Sequence, residues 1–81
     1  MNGWHVYVLR CRDATLYTGV TVDVPRRLVE HEAGTGAKYT RSRLPVVLVY
    51  HEHQPSRSSA LRREAELRRM GREAKLALIE R

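Results

Sequence analysis

The spacing of apolar residues changes along the chain, and each change marks an element. "WHVYVLR" (residues 4–10) and "TLYTGVT" (residues 15–21) are rich in β-branched and aromatic residues and read as strands. Between them "CRDA" must turn the chain. Asp13 suits a turn, but Ala14 follows where glycine is usual, which predicts a loop longer than two residues. "DVPRRLVEHEAGTG" has Asp23 as N-cap, Pro25 in the first turn and Gly34 just past the end, giving a helix of about ten residues. "TGAKYTRSRLP" shows no apolar periodicity and reads as a loop. "VVLVY" (46–50) is a continuous apolar run, short enough for a central buried strand. After the break "QPSRSS", a long helix runs over about 58–70, stops at Gly71, and a short last helix ends near Ile79. The order β-β-α-β-α-α predicts one α+β domain over residues 1–81, a small three-stranded, mostly antiparallel sheet flanked by helices.

Eighty-one residues leave no room for a deep small-molecule cofactor cavity, so any site is a shallow groove on the sheet. No apolar run reaches transmembrane length and no signal-peptide core opens the chain, which predicts a cytoplasmic protein that does not span a membrane. The single Cys11 agrees with a reducing compartment and reads as a semi-buried structural thiol. Charge narrows the partners further. Lys and Arg number 15 against 9 Asp and Glu, and all but Lys38 and Lys75 of the basic residues are arginine. That composition suits a polyanion, although a merely basic soluble surface has the same signature.

Ala60, Leu61, Leu67 and Met70 mark the inward stripe of the long helix, and Glu64 falls in its middle while Glu66 faces solvent. A carboxylate there needs compensation. One reading pairs it with Arg68 at i,i+4 or with a guanidinium across the sheet; the other makes it a metal ligand. Arg27 and His31 lie one turn apart on the first helix, as a phosphate- or water-orienting pair or as a solvated surface pair. His51 and His53 around Glu52 read better as a polar strand end than as a metal site. "GTG" around Thr35 reads as a helix stop. Glycine-rich phosphate loops, zinc spacings and serine triads find no support.

With these residues placed, "YVLRC", "LYTGVT", "RRLVEH", "GAKYTRSRLPVVLVY" and "ALRREAELRRM" stand in the order of the GIY-YIG nuclease family, and the chain most resembles its short standalone bacterial (YhbQ-like) members. The resemblance covers nearly the whole chain. It sets His5-Val6-Tyr7 at the first motif and Tyr17-Thr18-Gly19 at the second. It makes Tyr7, Tyr17, Arg27, His31 and Glu64 catalytic, Glu64 also the ligand of a single Mg²⁺ or Mn²⁺, and Gly19 a clearance position beside the tyrosines. The implied chemistry is phosphodiester hydrolysis of DNA, single-stranded, nicked or branched forms being the more reachable, with RNA open beside it. Lys38, Arg41, Arg43, Arg62 and Arg63 are expected nucleic-acid contacts, on a monomer or weak homodimer.

Three positions depart from the family pattern. His5 replaces glycine, Val20 stands where many relatives have lysine, and a late asparagine used by some members is lacking, since the only one is Asn2. The missing lysine, with the small size and the lack of an appended recognition domain, supports a rival expectation, a catalytically weak nucleic-acid-binding module with the nuclease fold. A membrane-surface helix is disfavoured because Glu64, Glu66, Glu73 and Glu80 interrupt the basic face of the last helices.

Overall fold

A computed structural model describes residues 3–81; Asn2 lies outside the described residues. Strand β1 (Trp4–Arg10) is central, and β2 (Leu16–Thr21) and β3 (Val47–Gln54) flank it in the order β2-β1-β3, both antiparallel to it. Its two faces serve two cores. Val6 and Val8 pack with Ala60 and Leu67 of α3 (Arg57–Arg69), while Tyr7 and Leu9 pack with Cys11 and Val46. α1 (Val24–Glu32) lies against the second face, its Leu28 joining that cluster. Cys11 is buried, as its place after an apolar stretch suggests.

The capping signals act as the sequence predicts. Asp23 accepts from the Arg26 amide, Pro25 sits in the first turn of α1, and Gly34 follows the C-cap with φ +81°. α3 opens at Arg57 on a capping box between Ser56 and Ser59 that the sequence reading did not single out, and Gly71 separates it from α4 (Arg72–Ile79) as expected.

Three expectations are corrected. The apolar run 46–50 does not form the central strand: β3 is an edge strand, and it continues through His51, Glu52 and His53. A register break between Val8 and Leu9 leaves Val49 unpaired, so that Leu48 packs on one face and Val49 and Tyr50 on the other. That bulge hides the alternation an edge strand otherwise shows. The stretch read as a loop after α1 contains a single helical turn, α2 (Lys38–Arg41), without a side-chain N-cap. Leu61, assigned to the inward stripe, is 37% exposed, because the buried line of α3 runs through Ala60 and Leu67 and Leu61 falls on its rim.

Residues 11–15 form the connection between β1 and β2, longer than two residues as expected. Asp13 accepts from the Thr15 amide and hydroxyl, and Ala14 takes φ 70°. Alanine is strained in that left-handed region, more than the added chain entropy of glycine costs. Ala14→Gly is therefore expected to stabilise the fold by about 0.5–1 kcal/mol, a rise of roughly 2–6 °C in Tm by thermal denaturation.

Candidate active site

Tyr7 stands on the central strand and its ring crosses Gly19 on the edge strand β2. The two residues are register partners, and a Cβ built on Gly19 would lie 2.6 Å from the Tyr7 hydroxyl oxygen. Glycine there is the condition for the phenol to reach the sheet edge. Beyond it waits His31 of α1, fully buried, with Nε2 2.8 Å from the Tyr7 Oη. Its Nδ1 lies 2.8 Å from Thr40 Oγ1, and that hydroxyl donates to the Ala37 carbonyl. Because the Thr40 proton goes to Ala37, Oγ1 accepts from His31 Nδ1–H, Nε2 is left as an acceptor, and Tyr7 O–H donates to it. One direction of proton donation thus runs from Tyr7 through His31 and Thr40 to the backbone.

Electrostatics agree with this ordering. Burial pushes the Tyr7 phenol above its usual value, with the Arg27 guanidinium opposing and the charges of Tyr17 and Glu64 adding to the shift. Burial, and then Arg27, holds His31 below the usual imidazole range, so it is neutral and able to accept. Arg27 is placed between Tyr7 and Glu30, to which it donates at 2.8 Å; Glu30 and Tyr7 both hold its proton more firmly. The alternative of a solvated surface pair for Arg27 and His31 is not what forms, since His31 is enclosed.

Glu64 comes from the opposite layer. Its carboxylate is mostly buried (18% exposed) and pairs with Arg68 at 3.1 Å, the i,i+4 pairing that the sequence offered; Arg68 also donates to the Thr18 carbonyl at 2.9 Å, tying α3 to the edge strand. The charge of Glu64 also reaches the Tyr7 phenol. Tyr17 packs edge-on to His31 at 5.4 Å and stacks on Tyr39 of α2 at 5.9 Å. Tyr7, Tyr17, Gly19, Arg27, His31 and Glu64 therefore gather around β2, Glu64 from the α3 face and the others from β1, β2 and α1.

The basic residues divide. Lys38 and Arg41 are exposed on α2, and Arg62 is exposed, bonded to Ser58. Arg43 and Arg63 are engaged internally. Arg43 bonds Asp13 and the Tyr39 carbonyl and lies over the Tyr39 ring at 3.9 Å. Arg63 pairs with Glu52 at 2.8 Å and Glu66 at 3.1 Å. Burial opposes the Glu52 charge, but Tyr50, Arg63 and Gln54 together hold that carboxyl below its usual range.

His51 and His53 share a face with His5, whose ring lies 6.3 and 5.4 Å from theirs. Among the described residues no group of three or more His, Cys, Asp or Glu side chains is arranged to hold a metal, here or at Glu64. A hard divalent ion that keeps most of its water fits one carboxylate beside phosphate oxygens, so Glu64 alone is compatible with it.

Sequence reasoning missed two residues. Thr40 fixes the His31 tautomer, and Gly36, read only as part of a helix stop, is where a Cβ would come 2.5 Å from His31 Nδ1. Both lie in a stretch without periodicity, and only their contacts reveal them.

The GIY-YIG catalytic domain matches residues 3–76. The chain belongs to the GIY-YIG family. Within that nuclease family its relatives are the short standalone UPF0213 proteins. The UPF0213 protein of Streptococcus sanguinis is 54% identical over 96% of this chain and 90% of its own length, and that of Halobacterium salinarum 54% identical over 93% and 97%. Among solved structures, the UPF0213 protein BH0048 of Bacillus halodurans is 44% identical with a TM-score of 0.61, covering 95% of this chain and 82% of its own. EF2693 of E. faecalis is 37% identical with a TM-score of 0.64, covering 96% and 84%. The GIY-YIG fold, a three-stranded antiparallel sheet with helices, is as the sequence predicted. Among the described residues no helix is long and apolar enough to cross a membrane.

The buried imidazole gives the GIY-YIG site a pH signature. His31 and His5 are both held below the ordinary value near 6.5, His5 by burial and then by His53 and His51. The unfolded chain therefore takes up protons first as pH falls through about 6.5, and stability present above that pH is lost below it. The depressed carboxyls of Asp13, Glu30 and Glu52 add a second loss only below about pH 4. Tm is expected to fall between pH 7.5 and 5.5, less steeply in His5→Gln; a flat profile would contradict the enclosed imidazoles.

Proposed function

We propose that the protein is a metal-dependent endonuclease that hydrolyses phosphodiester bonds in DNA. The observation that carries this reading is the directed bond from Tyr7 to neutral His31, with Arg27 and Glu64 beside the same phenol. A water positioned at Tyr7 Oη gives up its proton to that oxygen while the Tyr7 proton passes to His31 Nε2. The water oxygen forms the new bond to phosphorus, the bond to the leaving oxygen breaks, and that oxygen is protonated from solvent. Arg27 stabilises charge developing on the phosphoryl oxygens. Tyr17, at the rim, positions water or phosphate by hydrogen bonding. Glu64 would hold a Mg²⁺ or Mn²⁺, which when bound would supply Lewis-acid stabilisation of the phosphate and leaving oxygen. Tyr7 is assigned the relay because its phenol is the one bonded to His31, although its raised pKa keeps it protonated at rest.

Of the five basic residues expected to meet nucleic acid, Lys38, Arg41 and Arg62 are the three exposed for phosphate contact. A second reading, a binding module without turnover, is favoured by the ion pair that already engages Glu64 with Arg68. End-labelled single-stranded, duplex and forked DNA incubated with the protein in Mg²⁺, Mn²⁺ or EDTA separates the two. Metal-dependent cleavage supports the nuclease; binding without cleavage in any metal sinks it.

A further inference from the structure

Next to the catalytic residues, a groove of about 370 Å³ lies between the edge strand, α2 and the last two helices. It is lined by Leu16, Tyr17, Thr18, Tyr39, Arg68 and Lys75. We propose that this groove binds one nucleotide of a single-stranded DNA, the one adjoining the scissile phosphate, with its phosphate on Arg68 and Lys75 and its sugar and base against Tyr17, Tyr39 and Leu16. The assignment rests on the nuclease reading and specifies its substrate class.

Three observations carry it. First, Lys75 faces a like charge: burial and then Arg68 lower its proton affinity, and it forms no ion pair among the described residues. Two neighbouring cations, only one of them neutralised, form a site for an anion. Second, Thr18 is 3% exposed, lines the groove, and its Oγ1 has no hydrogen-bond partner among the described residues. A buried hydroxyl left unpaired is costly, and a small outward turn of this side chain would bring it to a ligand oxygen in the groove. Third, Tyr39 is held by Arg43 over its ring and by the stack with Tyr17 at 5.9 Å, and its carbonyl bonds the same guanidinium, yet the residue is 38% exposed. The exposed part of an aromatic fixed in this way offers a base or sugar a contact already ordered. A nucleotide in a groove recessed beside the sheet edge must leave its stack, which a single strand does freely and an intact duplex does at the cost of unpairing.

The test measures fluorescence anisotropy of a fluorescein-labelled thymidine ten-mer in EDTA, where no metal supports cleavage. Lys75→Gln is expected to weaken binding about fivefold and to lower the salt slope by about 0.7. Tyr39→Ala is expected to weaken it about tenfold. Lys75→Arg should restore binding, which a folding defect would not allow. Arg57→Gln removes the same charge at the far end of α3, beside Trp4, and should change binding less than twofold. Equal effects of Lys75→Gln and Arg57→Gln, or an equal effect of Lys75→Gln on a ten-base-pair duplex, would overturn the groove. Cleavage unaffected in KM by Lys75→Gln would overturn it while leaving the nuclease standing. Strand binding that depends on Lys75, with no cleavage in any metal, would keep the groove and remove the nuclease.

Discussion

Glu64→Gln should reduce DNA cleavage by at least a thousandfold while leaving strand affinity within a few-fold of the parent protein. The carboxylate is the one acidic group brought to Tyr7 from the α3 layer, and glutamine keeps its size while losing the charge that a hard cation requires. Loss of that charge also frees Arg68 from its 3.1 Å pair, so affinity for a polyanion should if anything rise slightly. Arg68 keeps its bond to the Thr18 carbonyl, which guards the packing of α3 on β2 and limits any cost to the fold. Single-turnover cleavage in Mn²⁺, with anisotropy in EDTA, reads both quantities. Undiminished cleavage by Glu64→Gln would remove this residue from the chemistry.

Gly19→Ala should be nearly as damaging by a different route. The added methyl would sit 2.6 Å from the Tyr7 hydroxyl oxygen and 2.7 Å from its ring carbon, so the phenol has to move. Tyr7 is 2% exposed and wedged among Leu9, Cys11 and Val46, which leaves it little room. We expect about 1–3 kcal/mol of destabilisation from overpacking, and a hundredfold or greater loss of cleavage as the bond to His31 breaks. Chemical denaturation and cleavage rates separate the two effects. Tyr7→Phe serves as reference, because it removes the hydroxyl without crowding. If Gly19→Ala retains full activity, the phenol is not where the reaction needs it.

Much of this was legible in the chain, for identifiable reasons. Strands and helices with strong periodicity, or with a clear start or stop such as Asp23 and Gly71, announced themselves. Tyr7, Tyr17, Gly19, Arg27, His31 and Glu64 were legible from ordered family motifs, and the structure adds that they converge. What sequence hid depends on partners far along the chain. The α2 turn lacks periodicity and a side-chain cap, and its Thr40 matters only because His31 is beside it. Val49 looks like one more apolar residue until the register break gives it a bulge. Arg43 and Arg63 resemble Lys38 and Arg41 by composition, and only the positions of Asp13, Glu52 and Glu66 show that they are also paired within the fold.

The central position of β1 has a consequence for how motion is shared out in this molecule. Tyr7 is anchored to a strand paired on both sides, whereas Tyr39 rides on one helical turn and Lys75 on the last helix. Amide protons at Tyr7 and Val8 should exchange with deuterium only when the whole chain opens, while those of α2 and α4 exchange through local fraying. On the proposed reading, the phenol that relays the proton is thus carried by the least yielding strand of the protein, while α2 and α4, which line the groove, open more readily than it does.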